Sequence, residues 1–459
     1  MNGLERYFGF IESLEAVIAK GLPVMMPMMR RLFPICRSLT GDGVRRTLDV
    51  VRESIKLQRT RVPTGTRCFD WQVPREWNIR DAYVKNSKGE KIIDFAVNNL
   101  HVVSYSVPVK DRLSLAQLQK HLHSLPDYPD AIPYRASYYN EDWGFCLTHA
   151  QREKLSGDEY EVVIDSALAP GHLEYAQFLR KGGTQREIFF STYICHPSMA
   201  NDQTSGIVLL STLMTILDDL PHPRYSYRAL FAPETMGVIA FLSKHHRQLK
   251  ARMEAGYVVT CVGDDGPYTY VRSKRGRTPA DKAAEHVLRH VARAKPVSVR
   301  EFDPVGSDER QYCSPGINLP VGSLMRSRYG EFKQYHTSKD DLTFVSEEGL
   351  AGSLKAYLRV VQTLEMNCRP VRTNPYCEPQ LGKRGLYSKL VSANIEDFHV
   401  KILNLLNFAD GEHDLVDIAD RLKCPVWELR EPMKKLVDAN LIRLNFERTG
   451  NKSRRNHGA

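Results

Sequence analysis

The stretch FFSTYICHPSMANDQTSGIVLL (189–210) ends an apolar run in His196 and sets Asp202 six residues later, where a helical pattern begins. Two further apolar runs end in the same kind of residue, Glu234 in APETMG and Asp264 with Asp265 in VGDDG, and two later loops give Asp308 and Glu309 in GSDERQYC and His336 in KQYHTSKDDL. Two histidines with several carboxylates match the N and O ligand preference of zinc. A spare glutamate such as Glu234 suits a general base acting on water. Each residue alone has an ordinary reading. A histidine after a strand is usually a loop or core residue, and Asp202 or Glu234 could simply cap the following helix. Their joint placement at successive strand ends favours a metal site.

The elements that must position these residues come in three kinds. Residues 1–58 read as helical, with FIESLEAVIAK and GDGVRRTLDVVRESI as the two patterns. Residues 59–150 carry short alternating runs split by turn signals, which predicts a small antiparallel β module inserted in the chain. From 151 to 368 apolar strands alternate with helical patterns: YEVVIDS, REIFFSTYI, YSYRALFAP, GYVVTCVG and INLPVGSL are the strands. That rhythm predicts an α/β domain with a mostly parallel sheet flanked by helices. In such sheets ligands gather outside the carboxyl ends of the strands, where His196 and Glu234 fall. Residues 369–385 are rich in Pro and Gly and read as a linker. Residues 386–459 give three amphipathic helices, a short RLNFER strand and a polar tail, the pattern of a winged helix.

Composition limits the function classes. With 42% hydrophobic residues over 459 positions the chain can bury a large core. No apolar run reaches the roughly 18 residues of a membrane span. Nine cysteines are scattered without a CxxC pair, which reads as reduced thiols and a cytoplasmic location. The 64 basic and 54 acidic residues leave a net charge of +10, modest for this length and better read as a solvated mixed surface than as a nucleic-acid face. From Tyr387 to Ala459 there are 12 Lys/Arg against 11 Asp/Glu. That balance favours protein contact or oligomerisation over DNA binding for the winged helix.

Four motifs in order carry a family resemblance. ANDQTSGIVLL, APETMG, GSDERQYCSPGINLPVGSL and YHTSKDDL resemble the bridging-aspartate loop, the A-E-E-x-G motif, the S-D-H-x-x-F…G-I-P segment and the Y-H-T-x-x-D segment of the co-catalytic zinc aminopeptidase superfamily. With its β insertion and terminal winged helix, the whole chain is similar to a bacterial aminopeptidase-like group associated with polysaccharide biosynthesis. The resemblance implies that His196, Asp202 and His336 bind metal and that Glu234 is the general base. It also shows departures. Thr235 stands where the family keeps a second metal-binding glutamate, and a further family aspartate falls near Thr260. Three remaining ligands imply one zinc per chain, with two as the alternative. Asp264 could replace the missing aspartate, while Asp308 and Glu309 would support the site or meet substrate.

The expected function is therefore zinc-dependent hydrolysis of an amide bond in a peptide or small molecule, of the aminopeptidase type. Two alternatives are a regulatory protein with a degenerate peptidase domain, and transfer chemistry on an amide such as that of an amino sugar.

Overall fold

The computed structural model describes residues 14–157, 159–292, 295–386 and 397–446. Its centre is an eight-stranded sheet of β1 (Gln58–Pro63), β2 (His172–Arg180), β3 (Glu187–Tyr193), β4 (Ser226–Ala232), β5 (Met253–Val259), β6 (Tyr268–Val271), β7 (Val297–Arg300) and β8 (Val321–Met325). The spatial order is β1-β2-β4-β3-β5-β8-β6-β7. β4, β3, β5 and β8 form a parallel core, whereas β1, β2 and the β6–β8 pairing are antiparallel. Every residue of β3, β4, β5 and β8 is buried. This is why their sequences are continuous apolar runs and not alternating ones.

Helices cover both faces. α1 (Leu14–Leu32), α2 (Asp42–Arg52), α3 (Gly206–Asp218), α5 (Pro279–Val291) and α6 (Glu347–Met366) close one apolar core, which takes in Met29, Leu48, Leu210, Val287 and Leu354. α4 (Met236–Arg252) closes the other with Phe241 against Phe189 and Leu230. The N-terminal helices thus pack on the main sheet; residues 1–13, included in the expected helical part, lie outside the described residues. Among the described residues no helix is long and apolar enough to cross a membrane.

The inserted module is a four-stranded antiparallel sheet ordered Lys91–Asp94, Glu76–Lys85, Glu159–Ala169, Val109–Ser114. Its limits differ from the expected 59–150. Gln58–Pro63 joins the edge of the main sheet. YEVVIDS, expected in the α/β sheet, belongs to the insertion. Its burial alternates, with Tyr160, Val162 and Ile164 inward, which is the mark of a sheet packed on one face.

The C-terminal module packs α7 (Asp397–Phe408), α8 (Leu415–Arg421) and α9 (Arg430–Asp438) around Leu405, Ile418 and Leu436. The expected linker begins as a strand. Arg369–Arg372 pairs antiparallel with Ile442–Asn445 and so completes this module, a pairing across some 70 residues that local composition does not announce. The module docks on α5: Lys282 reaches Asp414 and Asp417 at 2.7 and 2.6 Å, and Arg289 reaches Asp420 at 2.6 Å.

Candidate active site

His196 stands three residues past β3 and Glu234 two past β4, so adjacent parallel strands deliver both to one sheet edge. His196 Nε2 lies 3.7 Å from Glu234 Oε2. Asp202 sits in a π-helical turn, Ala200–Ser205, with φ −108° and ψ 72°, just before α3. A side chain on Gly206 would come within 2.5 Å of the Val259 carbonyl, so glycine lets α3 start this close to the sheet. His336 comes from a loop far along the chain and has φ 53°. Its Nε2 lies 3.1 Å from Asp202 Oδ2. One donor atom from each of His196, Asp202 and His336 falls within 4.8 Å of the others.

The set passes a test of fit for zinc. Asp202 Oδ2 and His336 Nε2 are both sealed from solvent; they face each other as an ion pair 3.1 Å apart, and neither makes a well-aligned hydrogen bond. With a donor atom of His196 within 4.8 Å of both, this pair completes a set of three that a further group could bridge. Two imidazoles and one carboxylate are the donor types of a catalytic zinc with an open position.

Burial and the facing charges set the protonation tendencies of the three groups. Burial pushes the His196 imidazole below its ordinary value despite the charge of Asp202. Burial would raise Asp202, but His196 and His336 outweigh it and hold the carboxyl below its ordinary value. For His336 burial acts downward, and the facing Asp202 carboxylate carries it above the ordinary imidazole value.

Around this cluster runs a supporting shell. Tyr193 donates its hydroxyl to Asp202 Oδ1 and meets Thr260 Oγ1 at 2.7 Å. Asp340 accepts the amides of Asn201 and Asp202 at 2.7 and 2.9 Å, which fixes the turn. The fully buried Arg37 donates to the His196 carbonyl at 2.8 Å and to Thr204 at 2.8 Å, so the N-terminal segment braces the site. Ser307 donates to Glu234 Oε1 at 2.9 Å. The insertion contributes Tyr134, whose ring lies 5.4 Å from His196 and 5.3 Å from His336, and whose amide donates to the His336 carbonyl at 2.8 Å.

The other expected residues stand one step back. Asp308 Oδ1 accepts the Thr235 amide at 2.8 Å and holds that residue at φ 59° and ψ −78°, immediately after Glu234. Burial, then the charge of Glu234, pushes Asp308 well above the carboxylate range. Asp264 is not among the converging donor atoms. Its oxygens are taken by Asn201, Gly266 and Ser327, so it braces the turn before Asp202. Glu309 turns inward, where its oxygens serve Ser307, Tyr329 and Ser323. Thr260, at the vacated family position, joins the Tyr193–Asp202 chain instead. Sequence reading missed Arg37, Tyr134 and Ser307. Tyr193, Ser307 and Asp340 lay inside motifs already singled out, and their closeness in sequence to His196, Asp308 and His336 was the available signal.

A second cluster, His286, His290 and Asp420, has the right residue types for a metal. It serves the domain junction: His286 Nδ1 meets Asp420 at 2.6 Å and Nε2 accepts the Val426 amide at 2.9 Å, so both ring nitrogens are used.

Comparison with known proteins matches this architecture. Residues 26–367 match the family described as domain of unknown function (DUF4910), and residues 369–444 match a winged helix-turn-helix family. A Clostridium acetobutylicum protein, provisionally named a polysaccharide biosynthesis protein with aminopeptidase-like domain, is 51% identical over 418 residues, covering 91% of this chain and 95% of that one. A crystal structure from Clostridium acetobutylicum, provisionally titled a peptidase, superposes with a TM-score of 0.89 at 46% identity over 96% of this chain and all of that one. A zinc aminopeptidase from Bacillus subtilis shares the fold, with a TM-score of 0.54 at 11% identity over 75% of this chain and 94% of that one. The chain therefore belongs to the DUF4910 family, an aminopeptidase-like fold joined here to a C-terminal winged helix-turn-helix.

Proposed function

We propose that the protein is a zinc-dependent hydrolase of amide bonds, with His196, Asp202 and His336 as the ligands and Glu234 as the general base. The observation that carries this reading is the convergence of donor atoms from His196, Asp202 and His336 within 4.8 Å of one another, with Asp202 Oδ2 and His336 Nε2 sealed from solvent. Zinc held there would supply Lewis acidity toward a carbonyl oxygen and toward water. Glu234 takes a proton from the attacking water and returns it to the leaving amine. Ser307 holds Glu234 by one oxygen and leaves Oε2 facing His196. Tyr134 packs across both histidines and limits water there.

The Clostridium relative's name joins polysaccharide biosynthesis to the aminopeptidase-like domain. An amide on a sugar-linked compound is therefore a substrate class to screen beside peptides. Nine unpaired cysteines support action in a reducing compartment such as the cytoplasm. The near-neutral winged helix supports a role in protein contact or oligomerisation.

Elemental analysis of purified protein tests the proposal. One equivalent of zinc is expected, lost in His196→Ala and in His336→Ala with the fold retained by circular dichroism. Two tightly held equivalents would replace the single-metal assignment. No metal after purification with added zinc would favour a degenerate, regulatory peptidase domain.

A further inference from the structure

Three of the four exposed aromatic side chains among the described residues, Phe69, Trp71 and Tyr139, lie on one rim. Exposed apolar residues are normally scattered singly, so this grouping calls for an explanation. The strand pair Arg67–Cys68 and Trp71–Gln72 makes a tight hairpin. At its turn Phe69 holds φ 55°, a costly conformation for a bulky aromatic residue, and its ring packs 5.7 Å from His246 on α4. The hairpin is thereby pinned to the main domain. Trp71 meets Tyr139 edge-on, with centroids 5.4 Å apart and planes at 63°.

These two rings wall a cavity of about 570 Å³, whose lining also includes Asp70, Gln72, Pro74 and Arg75. Arg75 is already paired with Glu141. Gln72 Nε2 is fixed on the Gly65 carbonyl at 3.0 Å. The same chain segment reaches the candidate active site: Tyr138, next to Tyr139, shares a 2.8 Å hydrogen bond with Tyr134, whose ring covers both histidines.

We propose that Trp71 and Tyr139 form a binding subsite for a neutral saccharide ring. A pyranose presents a face of weakly positive C–H groups, complementary to the negative face of an aromatic ring, and an edge of hydroxyls. Asp70 is the acceptor for those hydroxyls, a charge-assisted bond stronger than a neutral one. Two rings at a steep angle make a corner that holds one sugar face and its neighbour. With Arg75 paired away, the described residues lining the cavity offer no free cation for an anionic ligand. The proposal concerns binding and stands whether or not the chain hydrolyses amides.

Saturation-transfer NMR and calorimetry on the full chain, with cellobiose, maltose and N,N′-diacetylchitobiose as separate probes, test it. At least one probe should bind with a dissociation constant in about the millimolar range, with saturation reaching its ring C–H protons. Trp71→Ala should weaken that binding by about tenfold or more and Asp70→Asn by less, both with an unchanged melting temperature. Trp71→Phe should retain part of it. Failure of all three sugars to bind, or equal binding by Trp71→Ala, would overturn the subsite. So would displacement of a bound sugar from a site that Trp71→Ala leaves intact.

Discussion

At the scale of single residues, the site separates groups that hold from groups that react. Glu234 is half-buried, held by Ser307 through one oxygen and directed toward His196 through the other. Glu234→Gln keeps the size and can still bond Ser307, but it cannot accept a proton. Turnover of an amide substrate should fall by about 10²–10⁴ with zinc content unchanged. A cap role for Glu234 would instead cost about 1 kcal/mol of stability and leave turnover intact. Ser307→Ala tests the holding role separately. The glutamate keeps its carboxylate but loses its tether, so kcat should drop by less than in Glu234→Gln, with KM nearly constant. Steady-state kinetics on the two variants distinguish these outcomes.

At the scale of elements, the question is how a small β insertion is held on the main sheet. Glu76, at the start of its long strand, accepts Arg45 of α2 at 2.6 Å and the His172 amide of β2 at 3.0 Å. Burial alone would raise this carboxyl, but Arg45 and the amide outweigh it and bring it to about 2 from an ordinary 4.5. A depressed carboxyl stabilises the fold above its unfolded value, and that stabilisation is lost as pH falls through the folded value. Glu76→Gln should therefore lower stability at neutral pH by about 1–2 kcal/mol, a figure reduced for the water that reaches the pair. The difference from wild type should shrink between pH 4.5 and pH 2. Denaturant titrations at several pH values measure it. Because Tyr134 belongs to this insertion, the variant also reports whether the site needs the insertion firmly seated.

At the scale of the whole molecule, a row of opposite charges lines the docking of the winged module. α5 presents Lys282, His286 and Arg289 to Asp414, Asp417 and Asp420, and Arg359 lies 4.3 Å over the Trp427 ring. Lys282→Glu would set a like charge against two aspartates. It should destabilise the junction by about 1 kcal/mol or more and expose the Arg369–Arg384 segment to limited proteolysis, with zinc content unaffected. A single unchanged melting transition and an unchanged cleavage pattern would show that apolar contacts alone hold the module.

The sequence by itself determined the α/β class, the winged helix and the four motifs. Buried parallel strands must be apolar on both faces, and chemistry at their ends must be polar, so both leave local signatures. His196 and Glu234 were legible because each closes such a run. The tertiary structure decided what depends on distant partners. YEVVIDS joins the insertion through pairing with residues 47 to 87 positions earlier. Arg369–Arg372 is a strand only because Ile442–Asn445 returns to it. Asp264 and Glu309 had the right chemistry and the right loops, yet neighbours that the sequence does not reveal occupy their oxygens. Arg37 and Tyr134 reach the site from segments with no motif at all, because a folded chain assigns contacts by space and a sequence records only order.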